Sequence, residues 1–210
     1  MIPVWVLAMR TLANASPALC RGLGAPEGYP SLGMLTTDCD DATYIALDAA
    51  TKAAEVSVAY GRSFYAGAAN ASTPNAGEVI GILAAQTPGA LRSGMEAALA
   101  ALERLGFREH AGVPYLAHTV SSVGSFLAGE AGVPAGTALA YLIAPPLEGM
   151  YALDAALKAA EVKLCKLYAP PSETNFGGGL LSGTQSACDT ACAAFAAAVA
   201  EVAENPIEKL

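Results

Sequence analysis

The sequence predicts an α+β fold built from two tandem copies of one ββαββα domain, each an antiparallel sheet flanked by helices. Three observations carry the prediction. Residues 46–56 read ALDAATKAAEV and residues 152–162 read ALDAALKAAEV, matching at ten of eleven positions at a spacing of 106. The order of apolar and polar segments is the same on both sides of residue 108. Each copy also carries one long polar segment between its third and fourth strands. The single mismatch, Thr51 against Leu157, leaves Asp48/Asp154, Lys52/Lys158 and Glu55/Glu161 in step, which a low-complexity accident would not do. The repeat extends backwards at an offset of 108 (Pro26 and Pro134, Leu32 and Ala140) and forwards at an offset near 100, so length changes fall in loops, where insertions cost little. Domains of residues 1–108 and 109–210 follow, each large enough for its own core.

In the first copy, Val4–Leu12 and Ser31–Thr37 read as strands separated by a Gly/Pro-rich stretch, Gly22–Pro30. Asp40–Ala54 reads as a helix, with carboxylates where the macrodipole is positive and alanine through its interior. Val56–Tyr65 is rich in β-branched and aromatic residues, Val79–Ala85 gives the fourth strand, and Pro88 opens a helix to Arg104. The second copy repeats the order: strands Tyr115–Val123 and Thr137–Ala144, helix Leu147–Ala160, strands Val162–Tyr168 and Phe176–Leu181, and helix Thr184–Ala203. The segments Ala66–Glu78 and Ala169–Gly179 are long for connections within a compact domain, a length that suits function or disorder.

Composition narrows the class. The chain is 54% hydrophobic and 14% charged, against about 25% charged in an average soluble domain, so much of its surface is expected to be covered by other chains. A net charge of −8 argues against nucleic acid, which needs clustered lysine and arginine. No stretch reads as a bilayer span: Tyr141–Pro146 is short, and Ala187–Ala203 carries Asp189, Thr190 and Glu201. Nor does Met1–Met9 read as a signal peptide, lacking a basic start, and a cytosolic protein is expected. The five cysteines, Cys20, Cys39, Cys165, Cys188 and Cys192, are odd in number and without CxxC spacing, which suits free thiols. Cys188 and Cys192 share a helical face, but no histidine stands near to complete a zinc site.

Catalytic chemistry finds little support. His110 and His118 are the only histidines and have no counterparts in the first copy. The run Gly177–Gly179 lacks the GKS/T or GxGxxG context of a phosphate cradle. No catalytic or metal-binding residue is expected, and no cofactor is required. The sharpest polar cluster is Asp38–Asp41, at the start of the first long helix, with Glu148 at the equivalent helix start in the second copy. One carboxylate would serve as a cap; three acidic groups fit either capping or, if Asp40, Asp41 and Glu148 converge, a pocket for a small cation.

The blocks Ser31–Lys52, Tyr60–Ala69, Ala76–Val79, Ala140–Glu148, Asp154–Val162 and Pro170–Phe176 resemble the bacterial microcompartment shell proteins, and among them the tandem-domain, ethanolamine-utilisation type. That resemblance implies circularly permuted domains, a homotrimer with a pseudo-hexameric outline, and a non-enzymatic tile in a microcompartment shell in the cytoplasm. Its partners would be other shell proteins and small metabolites, with neither nucleic acid nor membrane. It further implies edge contacts at Lys52 and Lys158. It places Gly67, Asn70, Asn75, Asn175, Phe176, Gly177, Gly178 and Gly179 around a gated central pore, and an ethanolamine site at Asp40, Asp41 and Glu148. Cobalamin, a ligand within the family, has no readable signature here. The rival expectation is a soluble binding or sensing module of duplicated domains that does not assemble into sheets.

Overall fold

The computed structural model describes residues 1–64, 73, 75–170 and 175–207. They form two compact units: Pro3–Gly106 with Gly124–Leu127, and Met1–Ile2 with Phe107–Val123 and Ala128–Leu210. A short piece of the second sequence copy thus belongs to the first unit.

The first unit contains β1 (Val6–Leu12), α1 (Pro17–Gly22), β2 (Ser31–Thr37), α2 (Asp40–Ala53), β3 (Val56–Ser63), β4 (Val79–Ala85) and α3 (Pro88–Leu102). Its sheet runs β1-β2-β4-β3, antiparallel throughout. Strand alternation sends successive side chains to opposite faces. Gly33 on β2 and Gly81 on β4 point at the helical layer, where an added Cβ would lie 2.6 Å from Met95 Sδ and 2.9 Å from Leu47 Cδ1. Leu32, Ile82 and Ala84 point the other way and pack with Ala15 and Cys20 beside α1. Thr87 caps α3 by accepting the Ala90 N–H at 3.2 Å.

The second unit contains β5 (Arg108–His110), β6 (Val113–Val120), α4 (Ser125–Ala131), β7 (Ala138–Ala144), α5 (Pro146–Ala159), β8 (Lys163–Tyr168), β9 (Gly177–Gly183) and α6 (Gln185–Glu204), with α4 beginning among the residues of the first. Its sheet runs β5-β6-β7-β9-β8. Phe195, Cys188 and Val199 of α6 close its core against Leu142, Leu153 and Leu181. Thr184 caps α6 as Thr87 caps α3.

The ββαββα order is present in each copy, with three additions. α1 and α4 are six and seven residues long, too short to hold themselves without tertiary contacts, and β5 is a three-residue edge. The strand expected from Tyr115 to Val123 spans Val113–Val120 instead. Pro114 is tolerated because it is the second residue of β6, ahead of the rungs to β7, which begin at Leu116. α6 is long and apolar enough, by length and composition, to cross a membrane, against expectation. Alanine and valine outweigh its three carboxylates, and its Cys188, Ala191, Cys192, Phe195, Ala198 and Val199 are buried in the unit.

A further correction concerns the polar segment before β9. Gly177, Gly178 and Gly179 belong to the expected strand Phe176–Leu181 and not to the polar segment expected over Ala169–Gly179; they are the buried first three residues of β9, opposite Ala144, Ile143 and Leu142. They are glycine because neighbouring chain passes too close for a side chain: a Cβ on Gly179 would stand 2.6 Å from the Lys166 carbonyl oxygen. The duplication also reaches below the level of elements. The β3–β4 ladder slips between Val58 and Tyr60, and the β8–β9 ladder between Leu164 and Lys166. These bulges are 106 residues apart, the spacing of the sequence repeat.

Candidate functional site: an acidic helix start

The carboxylates at the start of α2 are held by backbone and hydroxyl donors. β2 ends at Thr37, whose Oγ1 accepts the Cys39 N–H at 3.2 Å and lies 2.7 Å from Thr43 Oγ1, tying the turn to the second turn of the helix. Asp38 Oδ1 accepts the Trp5 N–H at 2.8 Å. Asp40 and Asp41 are buried. Asp40 accepts the Asp41 N–H at 2.9 Å through Oδ1 and the Ser63 hydroxyl at 2.5 Å through Oδ2. The β2–β4 pairing, Thr37 opposite Val79, brings in Glu78, which sequence reasoning did not include. Its own N–H donates to the Thr37 carbonyl oxygen at 2.8 Å.

The electrostatics of this corner are those of crowded carboxylates. Desolvation, then the charges of Asp40 and Asp38, push the Glu78 carboxyl above its usual range. Desolvation also holds the Cys39 thiol far above the ordinary thiol value; an Ala42 N–H opposes the shift, while Asp41, Asp40 and Asp38 add to it. Cys39 therefore stays protonated and is a poor nucleophile. Burial likewise pushes Cys192 up to about 11. All five thiols are free.

The raised Glu78 value has a testable sign. A carboxyl whose folded value exceeds its unfolded one, about 4.3, stabilises the fold below that value. The contribution is lost as pH rises through the folded value. Glu78→Gln is thus expected to raise the melting temperature at pH 7 to 8, and the gain should fade as pH drops below about 4.3. Thermal melts across that range check it; a gain independent of pH would show that charge is not its cause.

The remaining expected site residues that the structure describes fall in both units. Glu148 belongs to the other unit, half-exposed in the first turn of α5. Gly67 and Asn70 lie outside the described residues. Asn75 lies in a turn closed by the Ala76 N–H on the Thr73 carbonyl oxygen, and its own carbonyl oxygen accepts the Thr36 hydroxyl at 2.7 Å. At Gly77, φ is +63° and a Cβ would lie 2.0 Å from the Thr37 carbonyl oxygen, so only glycine fits. Asn175 is exposed, and the Phe176 ring packs on Phe107 with centroids 5.7 Å apart. Lys52 Nζ stands 3.4 Å from Asp48, and Lys158 Nζ 2.6 Å from Asp154. His110 Nε2 lies 2.7 Å from Glu204 Oε1, an ion-pair position at the end of α6.

The Asp48 pairing differs in kind from its counterpart. Asp48 is fully buried, and its two oxygens accept the N–H groups of Gly124 at 2.8 Å and Leu127 at 2.9 Å, at the start of α4. Thr51 Oγ1 accepts the Ser125 N–H at 3.1 Å alongside. Sequence reasoning saw Asp48 only as a matched position of the repeat. Nothing local marks it as the cap of a helix 76 residues away.

Two copies of one antiparallel α+β domain define a duplicated-domain protein, in which Asp38, Asp40 and Asp48 accept backbone or hydroxyl donors. Residues 31–114 match the BMC domain. That frame starts at β2 and runs into β6. The chain is 56% identical to the bacterial microcompartment shell protein EutL of Clostridium perfringens over 96% of its own length and 95% of that protein. The crystal structure of the ethanolamine utilization protein EutL from Leptotrichia buccalis superposes with a TM-score of 0.94 at 55% identity, covering 99% of this chain and 98% of that one. A trimeric bacterial microcompartment shell protein, PduB, shares the fold: TM-score 0.79 at 19% identity, covering 95% of this chain and 89% of that one. The chain belongs to the bacterial microcompartment shell proteins and is of the EutL type, a structural protein.

Proposed function

We propose that this protein is a homotrimeric tile of an ethanolamine-utilisation microcompartment shell in the cytoplasm. In this reading it packs beside other shell proteins and carries a gated central pore for metabolites or a cofactor. Likeness to EutL proteins over nearly the whole chain carries the reading, and the internal duplication supports it: two domains per chain give a trimer six similar edges. A shell role also accounts for the sparse charge, because edges of a tile are covered by neighbours. Light scattering at micromolar concentration should return a trimer; a monodisperse monomer would overturn it.

The acidic helix start is the ethanolamine site in this proposal. Ethanolamine is a cation at neutral pH with one ammonium and one hydroxyl, and Asp40 and Asp41 supply carboxylate acceptors, with Glu148 as the counterpart in the second copy. Glu78 adds a fourth carboxyl that protonates early as pH falls. Binding would bias the pore only if the closed form holds the amine more tightly than the open form. Calorimetric titration of the trimer with ethanolamine tests the site. Asp40→Asn should weaken binding about tenfold, roughly 1.4 kcal/mol, and wild-type binding should weaken as acid protonates Glu78, whose carboxyl burial holds above its usual range. Equal affinity in the variant would remove the carboxylates from ligand recognition and leave them as helix-start residues.

A further inference from the structure

The duplication places the same surface twice in each chain, filled once and empty once. Within the first unit, α2 is covered by Gly124–Leu127. There Asp48 caps the start of α4, and the Tyr44 ring lies 6.0 Å from that of Phe126. The counterparts of these elements are α5 and α1. That α1 and α4 are equivalent follows from their backbone. Ala25 N–H donates to the Cys20 carbonyl as Val133 does to Ala128, and Tyr29 donates to Pro26 as Thr137 does to Pro134, at an offset of 108.

Burial separates the two sets. The Asp48 side chain is 0% exposed and that of Asp154 62%. Ile45 is 5% exposed and Tyr151 47%; Leu127 is 1% exposed and Leu19 43%. Asp41 is buried where Leu147 is exposed. So both halves of the second joint, the outer face of α5 and the start of α1, face solvent in the single chain. The α1 start has no side-chain cap, although its counterpart is capped by Asp48.

A second observation, independent of burial, matches the halves to each other. Thr51 accepts the Ser125 N–H. The one mismatch in the repeat puts Leu157, which cannot accept, in place of Thr51, and the counterpart of Ser125 is Pro17, which has no N–H to give. Acceptor and donor are lost together, as they would be if Leu157 faced Pro17 across a joint and neither could be left buried without its partner.

We infer that the outer face of α5, Leu147, Tyr151, Asp154 and Leu157, is the seat for residues 15–19 of a second copy of this chain, with Asp154 accepting the N–H groups of that copy's Ser16 and Leu19. The inference rests on the trimeric-tile reading and names its contact. Each chain carries one filled joint and the two halves of an empty one, so copies join head to tail and close as a ring. The empty joint is the looser of the two. Ser16 has a Cβ where Gly124 has none, and a Cβ on Gly124 would stand 2.7 Å from the Asp48 carbonyl oxygen. The joint between chains accommodates that atom by a local shift of Ser16 that keeps both N–H groups within reach of Asp154.

Sedimentation velocity on Asp154→Arg, Leu19→Glu and their equimolar mixture tests it. The wild type should be trimeric, and each variant alone monomeric at concentrations at least tenfold above the wild-type midpoint. The mixture should give a dimer, because the Leu19→Glu chain keeps its α5 seat and the Asp154→Arg chain keeps its α1 segment. Trimers persisting in both variants would overturn the joint and leave the tile reading standing; a monomeric wild type would overturn both. Should a variant misfold, the double variant Ser16→Cys, Asp154→Cys should link chain to chain under mild oxidation where neither single variant does. No such link in a wild-type-like trimer would also overturn the joint.

Discussion

Asp48→Ala is expected to destabilise the first unit by roughly 3–5 kcal/mol, a large share of the 5–15 kcal/mol that typically holds a domain together. The carboxylate is fully buried and accepts two backbone N–H groups at 2.8 and 2.9 Å, with Lys52 at 3.4 Å. Removing it orphans two donors, at about 1–3 kcal/mol each, and leaves a lysine without its counter-charge. The matched substitution Asp154→Ala removes only an exposed i,i+4 pair, worth about 0.3–0.5 kcal/mol within a chain. Urea denaturation of the two variants as monomers, for instance in the Leu19→Glu background, should therefore separate them by several kcal/mol. Equal losses would show that the hydrogen bonds of Asp48 contribute little net energy.

Gly178→Ala is the second large effect. An added Cβ would stand 1.9 Å from the Leu142 carbonyl oxygen and 2.8 Å from its carbon, and φ at this position is +154°. The obstacle is the backbone of the central strand β7, which is paired on both sides and cannot withdraw without breaking ladders. Strain and overpacking together should cost on the order of 3–5 kcal/mol. Gly129→Ala is the control: nothing lies within 4 Å of its Cβ, and alanine in α4 should gain roughly 0.5–1 kcal/mol. Thermal melts decide between them, and a Gly178→Ala protein melting with the wild type would mean that β9 can shift away from β7.

What could be read from the chain and what could not divides along contact range. Strand alternation, alanine-rich helix interiors and Thr or Pro at helix starts are local signals, and they located Ser31–Thr37 and Val79–Ala85 to the residue. α1 and α4 escaped because six or seven residues carry no period, and their stability comes from side chains remote in sequence, Asp48 for α4. The run Gly177–Gly179 carries two signals at once, ending the polar segment Ala169–Gly179 and lying in the expected strand Phe176–Leu181, and β9 follows the second. Three glycines favour a loop by propensity, but here close approach of β7 and β8 selects them. At the acidic corner, Asp40 and Asp41 announce themselves beside a helix start. Glu78 does not, because only the ladder between β2 and β4 brings it there.

The shared bulge at Ala59 and Cys165 bears on the history of the chain. An inserted strand residue turns every side chain beyond it to the opposite face, so neither copy could gain or shed it alone without turning one end of its edge strand inside out. The kink is therefore older than the doubling of the gene. On α2 and α5 the copies differ in side chains, Thr51 against Leu157 and Asp41 against Leu147, while the strands that follow bend at the same residue.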